Sequence, residues 1–277
     1  MWNINISGFA DEISANIDEQ FEGLKSIGLK FFEPRNISGT SIGAINKEQA
    51  KELKMKMDAN GIKASSIGSP IGKIDISDAD KHVELLKSVV ETAKILECDK
   101  IRCFSFFNAY NERNAVMENL HKMAEYAEKN DILLLHENEK EIYGDTIERV
   151  EDIFATIKSD NFKAVFDAAN FIQCGENPND AFLRVFDNIR YMHIKDAKKD
   201  GTVVPAGSGE ADYKMILKKL YDTNYNGFLS LEPHLGSFEG LAALELDDKM
   251  LHLEKSDKGK FQIAYLALKN IIDEVEK

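Results

Sequence analysis

Tyr191-Met192-His193-Ile194-Lys195-Asp196 closes a stretch, Val165 to Asp196, around which the rest of the chain is read. Two short apolar runs meet there, Lys163-Ala164-Val165-Phe166 and Ile189-Arg190-Tyr191-Met192, and each stops at a residue that metals favour, Asp167 and His193. A strand places alternate side chains on opposite faces, so Val165 shares a face with Asp167, and Tyr191 with His193. If the two strands are parallel and close in one barrel, the carboxylate and the imidazole converge at the same end. Taken singly, an aspartate after a strand is more often a helix cap, and a lone histidine is more often a packed, hydrogen-bonded ring. The rest of the chain decides between these readings.

Outward from that stretch, short β-branched or aromatic runs alternate with longer amphipathic ones, in eight pairs. The strands are expected at Asn3–Ser7, Phe31–Glu33, Ile62–Ile67, Lys100–Phe104, Ile132–His136, Lys163–Asp167, Ile189–His193 and Phe228–Glu232. Helices are expected at Ile13–Ile27, from Asn46 to Asn60-Gly61, Asp78–Glu97, Arg113–Asn130, Ile147–Ser159, near Asp180–Phe186, Tyr213–Thr223 and Phe261–Glu276. Gln49 three residues after Asn46 has the spacing of a capping box, and Gly61 the place of a helix stop. The wholly apolar run Ile132-Leu133-Leu134-Leu135 suits a parallel strand buried on both faces. Eight such repeats predict an α/β fold, a closed (β/α)8 barrel, with a doubly wound open sheet as the lesser choice. Residues 1–277 read as one barrel domain with a loop insertion at about 233–258 after the last strand, a lid, a subunit contact or a solvated excursion.

Composition narrows the function. In 277 residues, 43% hydrophobic content supplies a sizeable core, and no run is apolar and long enough to span a bilayer. Met1-Trp2-Asn3-Ile4-Asn5 lacks the basic and apolar regions of a signal peptide, so the expected location is the cytoplasm, with no membrane partner. Cys98, Cys103 and Cys174 have neither CxxC spacing nor an even count, which suggests reduced thiols rather than disulfides or a thiolate zinc site. A formal charge of −13, from 48 acidic and 35 basic residues without a basic block, makes nucleic acid a poor partner.

In barrels of this type catalytic groups come from the C-terminal ends of different strands. Those ends here are polar: Glu33, Arg102, Glu137, Asp167, His193 and Glu232. Period-two alternation turns Leu135 with Glu137, and Ser230 with Glu232, inward, while His136 and Leu231 face the outer helices. Glu137, Asp167, His193 and Glu232 therefore form an oxygen-rich set suited to one divalent ion, Mn2+, Mg2+ or Co2+, and acceptable to Zn2+. Without an ion, three close carboxylates repel one another and one tends to stay protonated. Each residue alone has a structural explanation; four ligand types at four consecutive strand ends are hard to obtain from structural needs.

Along essentially its whole length the chain resembles the xylose-isomerase-like TIM-barrel family of sugar and sugar-phosphate isomerases and epimerases, which includes ketose 3-epimerases and inosose dehydratases. The resemblance runs through Ser7-Gly8-Phe9-Ala10-Asp11-Glu12-Ile13, Ser69-Pro70-Ile71-Gly72-Lys73, His136-Glu137-Asn138-Glu139, Phe166-Asp167-Ala168-Ala169-Asn170-Phe171, His193-Ile194-Lys195-Asp196 and Leu231-Glu232-Pro233. It implies that Glu137, Asp167, His193 and Glu232 bind one divalent metal, with Glu137 and Glu232 an acid/base pair on opposite sides of the substrate. Ketose 3-epimerases carry a histidine where this chain has Asn170 and an arginine where it has Lys199, both positions that touch substrate.

The expected activity is metal-dependent proton transfer on a sugar, sugar phosphate or polyol, the metal stabilising an enediolate while a carboxylate removes the neighbouring proton. Return by the opposed carboxylate inverts the centre, and return to the adjacent carbon isomerises it. Glu33, Lys73, Arg102, Asn170, Lys195, Lys199 and His234 are the candidate substrate contacts. Elimination of water from a cyclic polyol, inosose type, is the alternative. A non-catalytic sugar-binding barrel and an abasic-site nuclease like endonuclease IV rank below it, the latter because its multi-zinc cluster is rich in histidine and this chain has six His in all. The family and the insertion suggest a homo-oligomer.

Overall fold

A computed structural model describes residues 2–235 and 257–277. Eight strands line the barrel: β1 (Asn5–Gly8), β2 (Phe31–Phe32), β3 (Lys63–Ala64), β4 (Lys100–Cys103), β5 (Leu133–Glu137), β6 (Phe162–Asp167), β7 (Ile189–Ile194) and β8 (Phe228–Leu231). Six of them form one parallel sheet in the order β1-β8-β7-β6-β5-β4, and β2 pairs in parallel with β3. Main-chain hydrogen bonds complete the ring on both sides of the short pair. Glu33 N–H donates to Gly8 O at 2.9 Å, and Ile67 joins β4 by donating to Lys100 O and accepting from Arg102 N–H, both at 2.9 Å.

Alternation along these strands separates two apolar layers. Leu135, Val165 and Tyr191 pack together inside the barrel with Leu133 and Phe228. Phe166 and Met192, one residue off that set, belong to the larger core beneath the helices. There Phe166 meets Phe171 at 5.6 Å and Phe182 at 5.4 Å between ring centroids. Burial of a side chain of this size stabilises by about 1.5–3 kcal/mol, so a one-residue slip that traded the two faces would be costly.

The helices are α1 (Ile17–Ser26), α2 (Lys47–Asn60), α3 (Ala79–Ile95), α4 (Arg113–Glu128), α5 (Ile147–Thr156), α6 (Ala168–Gln173), α7 (Pro178–Val185), α8 (Tyr213–Asp222) and α9 (Asp257–Val275). The capping box of α2 forms as its sequence implies, with Asn46 Oδ1 accepting from Gln49 N–H at 3.0 Å and Gln49 Oε1 from Asn46 N–H at 2.9 Å; Gly61 ends the helix at φ 66°. Several elements differ from expectation, among them the third strand, which is Lys63–Ala64 where Ile62–Ile67 was expected, and two of the helices. The first helix begins at Ile17 rather than Ile13, because Asn16 Oδ1 caps Asp18 N–H at 2.8 Å and a separate 3-10 turn occupies Ala10–Glu12. Helix α6 was not foreseen; Asp167 Oδ1 starts it by accepting from Asn170 N–H at 2.9 Å. Of the expected insertion, 236–256 lie outside the described residues, and 257–258 belong to α9. Among the described residues no helix is long and apolar enough to cross a membrane.

Candidate metal centre

Four neighbouring strands deliver the polar residues that alternation turned inward. Glu137 ends β5 opposite Val165, Asp167 ends β6 opposite His193, and Glu232 follows β8, its N–H on Ile194 O at 3.3 Å. Asn138 ties β5 to β6, donating to Asp167 O at 2.9 Å and accepting from Asp167 N–H at 3.0 Å. As a result Glu137, Asp167, His193 and Glu232, all buried, each offer one donor atom within 4.8 Å of the others.

The imidazole of His193 is the hinge of the set. Its Nδ1 lies 2.9 Å from Glu137 Oε1 and 3.4 Å from Glu232 Oε2, while Nε2 lies 3.2 Å from Glu33 Oε2. Burial would lower its pKa, but the charges of Glu137 and Glu33 outweigh burial and raise it to about 10. For Glu137 burial works upward, and His193 with Arg102 reverses it, to about 2. Glu232 is likewise held well below the carboxylate range, by Lys195 and His193 against burial. At Asp167 burial prevails over Lys195, and its pKa rises to about 7.

A divalent ion suits these residues. Asp167 Oδ2 lies 3.1 Å from Lys195 Nζ, yet it accepts no hydrogen bond although it is buried. A buried carboxylate oxygen left in that state costs about 1–3 kcal/mol, and a cation would satisfy it. Three carboxylates and one imidazole are also the donor types that Mn2+, Mg2+, Co2+ and Zn2+ accept.

The remaining candidates fall into three groups. Arg102, Lys195 and Asn170 are buried against the cluster. Arg102 Nη1 meets Glu137 Oε2 at 3.1 Å, Asn170 Nδ2 donates to Glu137 Oε1 at 3.2 Å, and Lys195 Nζ donates to Glu232 Oε2 at 2.9 Å. Lys195 is fixed from behind, since Tyr213 OH donates to its carbonyl at 2.7 Å. The next residue, Asp196, accepts N–H bonds from Ala197, Gly207, Gly209 and Ala211 at 2.8–3.2 Å, folding the following loop inward. A Cβ at Gly209 would lie 2.4 Å from Asp196 Oδ1, so the cradle needs glycine there.

Lys73 and His234 form a second group, at the rim. Lys73 Nζ pairs with Glu139 Oε2 at 3.0 Å over the Phe104 ring, and His234 Nε2 lies 3.6 Å from Glu232 Oε1. Lys199 and Glu33 form the third group. Lys199 is exposed on the loop after β7, beside Pro178 and Glu210. Glu33, the residue after β2, is fully buried beneath His193, level with Tyr191 and Ser230, whose hydroxyls donate to its Oε2 at 2.9 and 2.8 Å.

Arg35 and Glu12 also lie against Glu232, with Asp11 holding Arg35 from behind, and none of the three is singled out in the sequence. Arg35 Nη1 reaches Glu232 Oε1 at 3.1 Å. The signal available was the acidic pair Asp11-Glu12 directly after the first strand, within a stretch already noted for its resemblance.

The sequence model of the family described as Xylose isomerase-like TIM barrel matches residues 21–254, and the chain belongs to that family. An inosose dehydratase of Clostridium botulinum (strain Eklund 17B / Type B) is 21% identical over 139 residues, 44% of this chain and 47% of that protein. The chain thus spans about half the length of the curated relatives it matches. Among solved structures, a xylose isomerase-like TIM barrel protein from Mycobacterium smegmatis in complex with magnesium has a TM-score of 0.74 at 14% identity, covering 99% of this chain and 98% of that one. An L-ribulose 3-epimerase has a TM-score of 0.68 at 21% identity, covering 100% and 97%.

Proposed function

We propose that this chain is a divalent-metal-dependent isomerase or epimerase that moves a proton at the carbon beside the carbonyl of a sugar. The observation that carries the reading is the pair of carboxylates flanking His193 Nδ1, Glu137 Oε1 at 2.9 Å and Glu232 Oε2 at 3.4 Å, delivered by strands with β6 and β7 between them. Glu137, Asp167, His193 and Glu232 would hold the ion. When bound, a divalent ion there supplies Lewis-acid polarisation of a carbonyl and the neighbouring hydroxyl.

The chain's own residues do the rest. Arg102 and His193 keep Glu137 ionised, and Lys195 and His193 do so for Glu232, so each can accept a proton at neutral pH. One carboxylate takes the proton beside the carbonyl. For inversion the opposed carboxyl group, having first taken up a proton from solvent, gives that proton to the other face of the carbon while the first group keeps the one it removed; if instead the first group gives its proton to the adjacent carbon, aldose and ketose interconvert. Among the described residues the cations nearest this pocket, Arg35, Lys73, Arg102 and Lys195, are each paired with carboxylates, which favours an unphosphorylated sugar over a sugar phosphate.

A second reading, elimination of water from a cyclic polyol ketone, has the same first proton removal. It is favoured by the likeness to inosose dehydratases and by Asn170, whose amide is committed to Glu137 Oε1 and Asn138 O where ketose 3-epimerases have a histidine. Incubation of the Mn2+-loaded protein with ketoses, aldoses and an inosose in deuterated water separates the two. Deuterium entering beside the carbonyl without loss of water supports the first reading, and an unsaturated product absorbing in the ultraviolet supports the second. Glu232→Gln is expected to lower turnover by about 10^2 to 10^4 while sugar binding persists; unchanged turnover would remove its acid/base role.

A further inference from the structure

Glu232 belongs to a second group of potential metal donors. Glu12, Glu232 and His234 each offer one atom within 4.8 Å of the others, so this group and the first share one carboxylate. A carboxylate shared in this way is how two-metal sites are commonly built. We propose that the second position is filled by the chain itself: the Arg35 guanidinium is the fixed cation there, and it restricts the site to a single divalent ion. The inference rests on the proposed metal centre and says how many ions it takes.

The geometry of Arg35 supports it. Asp11 grips the guanidinium with both oxygens, Oδ2 on Nε at 2.9 Å and Oδ1 on Nη2 at 3.1 Å, a fork-to-fork pair that fixes the plane. The same plane lies over the Phe9 ring, 4.4 Å from its centroid. Held there, Nη2 reaches Glu12 Oε1 at 3.2 Å, and Nη1 reaches Glu232 Oε1 at 3.1 Å and His234 Nε2 at 3.5 Å. Every member of the second group is therefore already turned towards Arg35. The other oxygen of Glu12 is engaged too, by the backbone N–H of His234 at 2.7 Å.

An arginine differs from a metal ion at this position in two useful ways. It is charged at every physiological pH and cannot dissociate. Its donors are also directional, which gives Glu232 a division of labour. Oε1 faces Arg35, leaving Oε2 for Lys195 at 2.9 Å and for His193 Nδ1 at 3.4 Å. Glu232 is thereby presented to the first centre through one oxygen and in one rotation. Arg35 is a positioning residue for Glu232, and it balances part of the charge of Asp11, Glu12 and Glu232 where a second ion would otherwise do so.

The test is metal counting, which does not depend on knowing the substrate. The protein is equilibrated with excess Mn2+, and bound metal is measured per chain with the electron paramagnetic resonance spectrum recorded alongside. The parent chain is expected to hold one ion with an uncoupled spectrum. Arg35→Gln is expected to hold two, with the spin-coupled spectrum of a carboxylate-bridged pair, and adding His234→Ala returns it to one. Arg35→Lys keeps a cation and is expected to stay at one. Two ions in the parent chain, or one ion in a folded Arg35→Gln, overturns the inference and leaves the proposed function standing. No ion in the parent chain instead removes the metal reading on which both depend. Should Arg35→Gln not fold, Arg35→Met, which keeps an unbranched chain beside Phe9 and all three donors but removes the cation, is expected to admit a second ion at high Mn2+; a count fixed at one overturns the inference.

Discussion

His136 and His193 lie two strands apart in the same sheet, 1% and 0% exposed, and the barrel treats them in opposite ways. His193 points inward, with carboxylates on both ring nitrogens and a T-shaped contact with Phe9 at 5.1 Å between ring centroids. His136 points outward between Phe154 and Phe162, 6.2 Å from each, and neither of its nitrogens has a hydrogen-bond partner. Burial disfavours the charged form of both rings. On the inner face Glu137 and Glu33 overcome it and lift His193 to about 10; on the outer face Glu137 opposes it too weakly, and His136 falls to about 4. Glu137 is the next residue after His136, so one step along the strand separates a neutral ring in a hydrocarbon layer from the centre of a charged cluster. The residue type carries little information here, and its face carries nearly all of it.

Breaking the inner side should have the largest effect. His193→Ala leaves Glu33, Glu137 and Glu232 facing one another without the cation between them, and loss of one partner from a buried charge cluster costs about 3–5 kcal/mol. Urea denaturation of the metal-free protein at pH 7 measures it, and bound Mn2+ is expected to drop to well below one per chain. A variant that loses neither stability nor metal would mean that the cluster is not organised by this ring.

The outer histidine gives a smaller effect with a distinct pH signature. Its folded pKa of about 4 lies below the ordinary 6.5, so the unfolded chain takes up a proton first as pH falls. The contribution is therefore present above pH 6.5 and is lost as pH falls towards 4, by about 3 kcal/mol at about 1.4 kcal/mol per pKa unit. His136→Leu keeps the apolar packing and should remove that part of the acid sensitivity without changing the metal count. Equal acid sensitivity in both proteins would show that the ring finds a proton acceptor in the folded state.

This contrast was legible in the sequence because alternation is local. The runs ending Leu135-His136-Glu137 and Leu229-Ser230-Leu231-Glu232 announce which side chains go inward, and they do so before any partner strand is known. The same holds for the α2 capping box, whose two residues are three apart. What escaped notice depends on distance along the chain. Arg35 meets Glu232 across 197 residues, through side chains on two loops, and no periodicity encodes such a contact. Asp167 is a different case: helix cap and metal ligand stand as alternatives in the sequence, and in the structure one carboxylate both starts α6 and faces the donor cluster. Lys199, at the position where the resembling ketose 3-epimerases have an arginine, is exposed on the loop that follows the Asp196 cradle.

Glu33 offers the finest test of the comparison, since it is what distinguishes the surroundings of His193 Nε2 from those of the orphaned nitrogens of His136. Its Oε2 gathers Tyr191 OH, Ser230 Oγ and His193 Nε2, while Oε1 is buried without a partner. A carboxylate on the far nitrogen of a metal-facing histidine fixes its tautomer and orientation, and its loss typically lowers metal affinity about 10- to 100-fold. Glu33→Ala is therefore expected to weaken Mn2+ binding by that factor, while Glu33→Gln, which can still accept from Nε2–H, should lose less. Nitrogen NMR of the His193 ring adds a readout that mere packing would not move: with Zn2+ bound, the parent chain and Glu33→Gln should keep the proton on Nε2, and Glu33→Ala should show exchange broadening at that site. If the affinity and the ring signals of Glu33→Ala match the parent chain, then the four inner donors orient His193 unaided, and the difference between the two histidines lies wholly in what faces Nδ1.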